Sequence, residues 1–347
     1  MRAVIPALLC LALPLAGQGA KTYTLSGESV AVYNIAGVIR VEGSRGGAVT
    51  VAVTPTGPDA SRLSVESGEL RGRTTLRVIY PEDRIIYPTL GRGSNSGFTI
   101  RPDGTWGDDD RRWGRGEGRK VTVRGSGDGL EAAADLTVTI PEGRRVAIYL
   151  GVGRIEAVNV NGTLHLDAMS GDVTARDTRG SLSIDTGSGD VRVTGASGAL
   201  SLDTGSGDVE VSDMKEGDLK VDTGSGEVQV REITARTLDI DTGSGDIRVD
   251  AAQVPEATLE AGSGSIAISL GGGVDRLHVE TGSGDVTVRL PESVNATVDL
   301  ETGSGDLDLG VPLQLVRKSE GEIRGTLGNG RGRIEIETGS GDISLTR

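Results

Sequence analysis

From Leu150 to the end of the chain, apolar and polar residues alternate in short runs broken by glycines. In Ser181–Thr186, Leu182, Ile184 and Thr186 fall on one face and Ser183 and Asp185 on the other. After Gly187-Ser188-Gly189 the alternation resumes, with Val191 and Val193 on the apolar face and Asp190 and Arg192 opposite. Period-2 runs bounded by glycines predict two half-buried strands joined by a corner. A second corner, Gly195-Ala196-Ser197-Gly198, leads to Leu200 and Leu202, where the pattern begins again. Glycine suits such corners because it adopts backbone angles closed to other residues and lets neighbouring backbone approach.

The corner phrase at Thr186 recurs, with small variations, at Thr204, Thr223, Thr242, Ala261, Thr281, Thr302 and Thr338. The steps are 18, 19, 19, 19, 20, 21 and 36 residues. The last is read as two steps of 18, with a hidden copy at Ser319-Glu320-Gly321-Glu322-Ile323. A fixed period of this size predicts a solenoid. The fold class expected is all-β, a single-stranded parallel β-solenoid, right-handed, with coils of about 18–21 residues stacked about 4.8 Å apart. Residues 150–347 form its regular part. The pattern ends on a regular corner at Ile343–Arg347, so an open C-terminal edge available for end-to-end self-association is expected.

Residues 21–149 carry a looser version of the alternation, read as a degenerate solenoid and capping region, with Ser64–Leu70 as an early coil. Residues 81–120 break the pattern and read as a mobile insertion. They hold the one Phe, both Trp, Pro81, Pro88 and Pro102, and from Arg84 to Lys120 there are eight basic against five acidic residues. All eight aromatic residues of the chain lie at or before Tyr149, so the later core must be built from aliphatic residues and Thr.

Charge divides the same way: residues 150–347 carry a net −17, residues 1–149 a net +3. An acidic chain of this kind argues against nucleic acid as a partner. Residues 1–20 have the form of a secretory signal peptide, with Arg2, an apolar run from Ala3 to Ala16, and small residues before cleavage between Gly17 and Lys21. The single cysteine, Cys10, lies inside it, so disulfides play no part in the expected mature chain. No later segment is apolar enough for a transmembrane helix. The expected location is exported: periplasm, outer surface or extracellular.

The segment Asn34–Val41 and the iterated Thr-Gly-Ser-Gly-Asp corners, behind a signal peptide, resemble the bacterial "putative adhesin" family, a domain of unknown function related to auto-transporter adhesin head domains. The resemblance covers roughly residues 25–347 apart from 81–120. It implies an exported β-helical protein with adhesion as a family label, and it carries over no catalytic residues.

Two sets of residues are candidate sites. The corner carboxylates Asp190, Asp208, Glu227, Asp246, Asp285 and Asp306 share one repeat position and would stack in a ladder. They are read either as a site for a divalent cation such as calcium or as turn chemistry, in which Asp caps backbone N–H groups. In the insertion, Phe98, Trp106, Arg111, Arg112, Trp113 and Arg115 are read either as a ligand surface that stacks on sugar rings or as a structural cover. His165 and His278 lie too far apart in sequence to suggest a dyad, and no HExxH, GxSxG or phosphate-loop motif occurs. The expected function is therefore a non-enzymatic, adhesin-like binding or scaffold protein without a required cofactor, its partner an envelope or surface component such as a glycan. Two alternatives stand beside it: a polysaccharide lyase or hydrolase on a β-helix, and a purely structural spacer rod. The short, uniform corners disfavour an enzyme, which needs an irregular patch of clustered acid, base and substrate groups.

Overall fold

The computed structural model describes residues 19–107 and 118–347, with a short strand at Leu13–Pro14. The expected signal peptide therefore lies almost wholly outside them, as do Arg111, Arg112, Trp113 and Arg115. Among the described residues the secondary structure is β throughout, apart from 3-10 turns at Ala60–Arg62 and Pro88–Leu90. Among the described residues no helix is long and apolar enough to cross a membrane. The chain divides into two units, residues 1–173 and 174–347.

In the second unit the alternation is realised as two parallel ladders meeting at the glycine corner. One ladder runs through Arg179–Thr186, Ser197–Thr204, Asp218–Thr223, Thr237–Thr242, Glu256–Ala261 and Arg276–Thr281. The other runs through Val191–Thr194, Val209–Ser212, Val228–Arg231, Ile247–Ala252, Ile266–Leu270 and Val286–Arg289. Register places like on like: Leu182, Leu200, Leu219 and Leu238 stack in one buried column, and Val191, Val209, Val228, Ile247, Ile266 and Val286 in another. Each such side chain removed from water contributes roughly 1.5–3 kcal/mol, which is how a core without aromatic residues holds together. The corner threonines Thr186, Thr204, Thr223 and Thr242 are buried in the same interior.

The glycines serve both purposes expected of them. At Gly226 φ is +138°, and a Cβ would stand 2.1 Å from the carbonyl oxygen of Gly207 in the preceding coil. Neither condition admits a side chain.

The end of this unit departs from the sequence-based expectation in two ways. Strand Gly332–Thr338 pairs in parallel with Arg276–Thr281 on one side and with Ala296–Thr302 on the other. Its companion Ile343–Thr346 likewise lies between Val286–Arg289 and Leu307–Leu309. The last coil in sequence is thus the penultimate coil in space, and the expected open edge at Ile343–Arg347 is not there. The 36-residue step does not hide a further coil either. Residues Gln314–Ser319 and Glu322–Leu327 form an antiparallel hairpin, and its second strand runs antiparallel to Ala296–Thr302, closing that end of the stack. The Ser-Glu-Gly-Glu sequence is its turn, with Gly321 at φ +73°. The outer strand, Gln314–Ser319, is exposed along its whole length and broken by a bulge between Leu315 and Arg317. Irregular, charged edges of this kind resist open-ended pairing.

The first unit begins the stack, with Gly37, Gly153 and Gly171 in one corner column, but it is not built of coils throughout. Two long strands, Ser29–Ser44 and Arg144–Val158, pair in parallel over most of their length, and Ala133–Pro141 joins the first of them. Around these, antiparallel pairs predominate: Val49–Thr56 with both Lys21–Leu25 and Ala133–Pro141, and Ser64–Leu70 with Arg73–Ile79. Ser64–Leu70, read above as an early coil, is therefore one arm of a hairpin. In the first long strand the ladder with Arg144–Val158 skips Ile35, and Gly37 has φ +136°. Asn34, fully buried, donates through Nδ2 to the carbonyls of Ala36 at 3.0 Å and Ala134 at 2.7 Å, and its Oδ1 lies 2.9 Å from the hydroxyl of Tyr80. A closed network of this kind satisfies polar groups that would be costly if buried alone.

Residues 81–120 are likewise built into the fold as far as they are described. Arg84–Ile86, Asn95–Ile100 and Arg119–Arg124 make a separate three-stranded sheet, with the last strand in the middle. This corrects the reading of the whole stretch as a mobile insertion.

Candidate functional site

Two tight turns and a pair of tyrosines enclose a cavity of about 160 Å³ in the first unit. The first turn is Arg71-Gly72, between strands Ser64–Leu70 and Arg73–Ile79. Both residues have positive φ, 51° and 74°, as a two-residue hairpin of the type I′ class requires. Arginine is an unusual choice for a position that ordinarily takes Asn, Asp or Gly. The second turn is Arg101-Pro102-Asp103-Gly104. Proline pre-sets the backbone angle, Gly104 supplies φ +82°, and the Gly104 N–H donates to the Arg101 carbonyl at 2.9 Å. Asp103 Oδ1 then accepts from the Thr105 N–H at 3.0 Å and from its hydroxyl at 2.7 Å, which fixes the direction in which Trp106 leaves the turn. Arg71 joins the two turns by an ion pair with Asp103 at 2.9 Å.

The aromatic wall comes from the long strands. Tyr33 and Tyr149 are register partners in the parallel pair, so their rings stack face to face, 4.3 Å apart and 3° from parallel. Trp106 meets Tyr33 edge-on at 5.2 Å, and Phe98 lies 5.5 Å from Trp106. Gly107, at φ +91°, brings the chain so close to Tyr149 that a Cβ would stand 2.6 Å from that ring.

The polar groups of the cavity converge. Arg73 Nη1 donates to the Tyr149 hydroxyl at 3.3 Å. Arg101, 6% exposed, donates to Thr105 Oγ1 at 3.2 Å and to the Gly107 carbonyl at 3.0 Å. Burial pushes the Tyr33 hydroxyl up to about 12, against the opposing pull of Arg73, a hydrogen bond to Tyr149, and the charges of Arg101 and Arg71. Tyr33 is therefore a neutral phenol at neutral pH. The Trp106 Nε1 group is buried and has no hydrogen-bond partner.

Of the residues singled out in the insertion, Phe98 and Trp106 are described, and both are buried, 6% and 3% exposed. Phe98 covers the backbone of Gly151, where a Cβ would stand 2.3 Å from its ring. Neither offers an open face for stacking on a sugar, which corrects that reading; Trp106 does line the cavity. Sequence reasoning missed Arg71, Arg73 and Arg101. The Pro-Asp-Gly turn was the available signal for the last of these.

The corner carboxylates do stand in a ladder, in the spatial order Asp190, Asp208, Glu227, Asp246, Ser265, Asp285, Asp342 and Asp306. Most are engaged with backbone. Asp190 Oδ1 accepts from the Asp208 N–H at 3.1 Å, Asp208 from Glu227 at 2.9 Å, and Asp246 from Ser265 at 2.8 Å. Asp285 accepts from Asp342 at 2.9 Å, and Asp342 from Asp306 at 2.8 Å. Each of these side chains thus caps a donor in the next coil, as the turn-chemistry reading describes. No group of three or more potential ligands among the described residues has the arrangement of a metal site. His165 lies edge-on to Tyr149 at 5.7 Å, while His278 stands 3.6 Å from Glu280 in the other unit.

Comparison with known proteins adds a family. No curated protein matches the chain. A solved structure described as "a putative cell adhesion protein" from Clostridium sporogenes ATCC 15579 is 12% identical, over 94% of this chain and 99% of that one. Its TM-score of 0.18 is too low for any structural argument. The family described as Toastrack DUF4097 matches residues 132–346, well over half of the 347. The stacked glycine corners lie inside that span, and the chain belongs to the Toastrack DUF4097 family.

Proposed function

We propose that the protein is an exported, non-catalytic, adhesin-like binding protein of the cell envelope or surface, in which stacked coils serve as a rigid scaffold and the first unit carries the binding site. The observation that supports this most directly is the occupation of the corner ladder. Five of its carboxylates, Asp190, Asp208, Asp246, Asp285 and Asp342, accept from backbone N–H groups of the next coil, so the repeat position that looks most like chemistry helps to hold the stack. The one enclosed arrangement of convergent polar and aromatic groups described above is the Arg71–Trp106 cavity. Its described lining carries guanidiniums, hydroxyls and aromatic rings, groups of the kind that bind a polar ligand.

The test is retention of the purified protein on fractionated envelope material and on a glycan array, with polysaccharide turnover followed in parallel. Saturable retention without turnover is the expected result. Depolymerisation of any glycan would replace this reading with the enzyme, and indifference to every fraction would leave the spacer rod.

A further inference from the structure

We infer that the end of the stack at residues 296–327 is a pairing surface for a second copy of this chain, the two joined about a two-fold axis into a closed dimer. This goes beyond the binding function proposed above and does not depend on it. The terminal hairpin extends only one of the two ladders: Glu322–Leu327 and then Gln314–Ser319 follow Ala296–Thr302. The other ladder stops at Leu307–Leu309, whose one strand partner among the described residues is Ile343–Thr346. The end therefore forms a step, two strands high on one side of the Gly303-Ser304-Gly305 corner, with an unpaired edge on each side. The two edges are complementary in sequence. The low edge reads Asp306-Leu307-Asp308-Leu309, and the high edge Leu315-Val316-Arg317-Lys318.

Groups at both edges lack what their counterparts in the body of the stack have. The inward column is buried from Val191 to Val286 and Ile343, but its last member, Leu307, is only half-buried because no coil covers it. Asp342 caps the backbone N–H of Asp306, and no further coil offers an N–H to Asp306 in turn. On the high edge Leu315 and Val316 are 54% and 78% exposed, where large apolar side chains are otherwise covered almost throughout the described residues. Arg317 is the register partner of Arg324, a like-charge pair offset by Glu322, which ion-pairs with both. Lys318, opposite Ile323, has no ion-pair partner among the described residues.

A half-turn about an axis through the corner exchanges its two sides, so each copy's high edge enters the other's step beside the low edge. Gln314–Ser319 runs towards the corner, as Ala296–Thr302 does, and Leu307–Leu309 runs away from it, so the edges meet antiparallel. Arg317 and Lys318 then stand beside Asp306 and Asp308, and Leu315 and Val316 beside Leu309. Opposite charges and apolar pairs across antiparallel strands stabilise their pairing, and a two-fold contact makes each of them twice. Each edge is consumed by the other, so assembly stops at two copies, in keeping with an end that resists open-ended growth.

Sedimentation equilibrium of the full protein over a range of concentrations tests the surface. A monomer–dimer equilibrium without larger species is expected. Asp308→Lys and Lys318→Glu should each raise the dimer dissociation constant about tenfold, because each sets like charges against one another. The two changes combined restore opposite charges and should bring the constant back to within about threefold of the parent, a departure from additivity that only a direct contact produces. Both side chains are exposed, and circular dichroism establishes that each variant is folded. The surface is refuted by a monomer at every concentration, by dimers indifferent to both single changes, or by a double variant no tighter than the single ones. Growth beyond the dimer would refute it as well, because the two edges would then not be closing on each other.

Discussion

Val228 sits between Val209 and Ile247 with its side chain wholly buried, while its neighbour Gln229 turns outward. Val228→Asp would place a carboxylate without a partner between two coils, costing at least about 3 kcal/mol. Gln229→Asp should fall within about 0.5 kcal/mol of the parent. Denaturant unfolding measures both, and similar midpoints would contradict the inward assignment of the column. At alkaline pH the residues to watch are Tyr33 and Tyr80, both raised by burial above the ordinary value of 10.0. A raised tyrosine favours the protonated form in the folded state. Its contribution is complete below pH 10 and is lost as pH climbs through the folded value, about 12 for Tyr33. Unfolding free energy should accordingly fall from pH 10 upward, and Tyr33→Phe should flatten the decline. An unchanged slope in that variant would show that the phenol is not the linked group. The inward columns were legible because period 2 leaves a buried residue no choice of face. The cavity arginines were not, because Arg71, Arg73 and Arg101 come from two turns with no common motif, and only the fold brings them together.

Among the elements, the small sheet of Arg84–Ile86, Asn95–Ile100 and Arg119–Arg124 is tied to the long strands through Phe98. Phe98→Ala would open a void over Gly151, at a cost of about 3–5 kcal/mol. Thermal melting checks this, and a loss below about 1 kcal/mol would mean that the sheet is not anchored there. The glycines and arginines that made this stretch read as mobile are in part turn residues and cavity lining. The hairpin at Gln314–Leu327 misled for a different reason. Its turn imitates a degenerate corner, and a repeat motif says which residues turn without saying in which direction the next strand runs. The same limit hid the position of the last coil, since Thr302 and Thr338 sit in nearly identical phrases and either could follow Thr281.

At the scale of the whole molecule, both tryptophans lie within residues 1–173, and no aromatic residue lies after Tyr149. Tryptophan fluorescence therefore reports on the first unit, whereas far-ultraviolet circular dichroism reports on strands in both. Long stacks of repeats depart from all-or-none unfolding because each coil depends mainly on its neighbours. In Val228→Asp the dichroism transition should shift to lower denaturant while the fluorescence transition holds its place. Coincident shifts would show that the two units unfold as one.

Coils in the body of the stack find their partners 18–20 residues away, but Asp285 meets Asp342 across 57 residues. A threefold longer closure adds about 1 kcal/mol of chain entropy to that step, so this rung is the slowest to form. The order of assembly also runs against the order of synthesis. A chain emerging from its N-terminal end makes residues 296–309 first, yet their parallel partner, 332–346, is not made until the hairpin has passed. Until then the ladder at 276–289 waits with one side open, a temporary aggregation hazard of the kind unpaired edges create. In pulsed hydrogen exchange during refolding, amides of 333–338 should gain protection after those of 200–242. Simultaneous protection would mean that the stack closes in one step, with no waiting edge for a chaperone to guard.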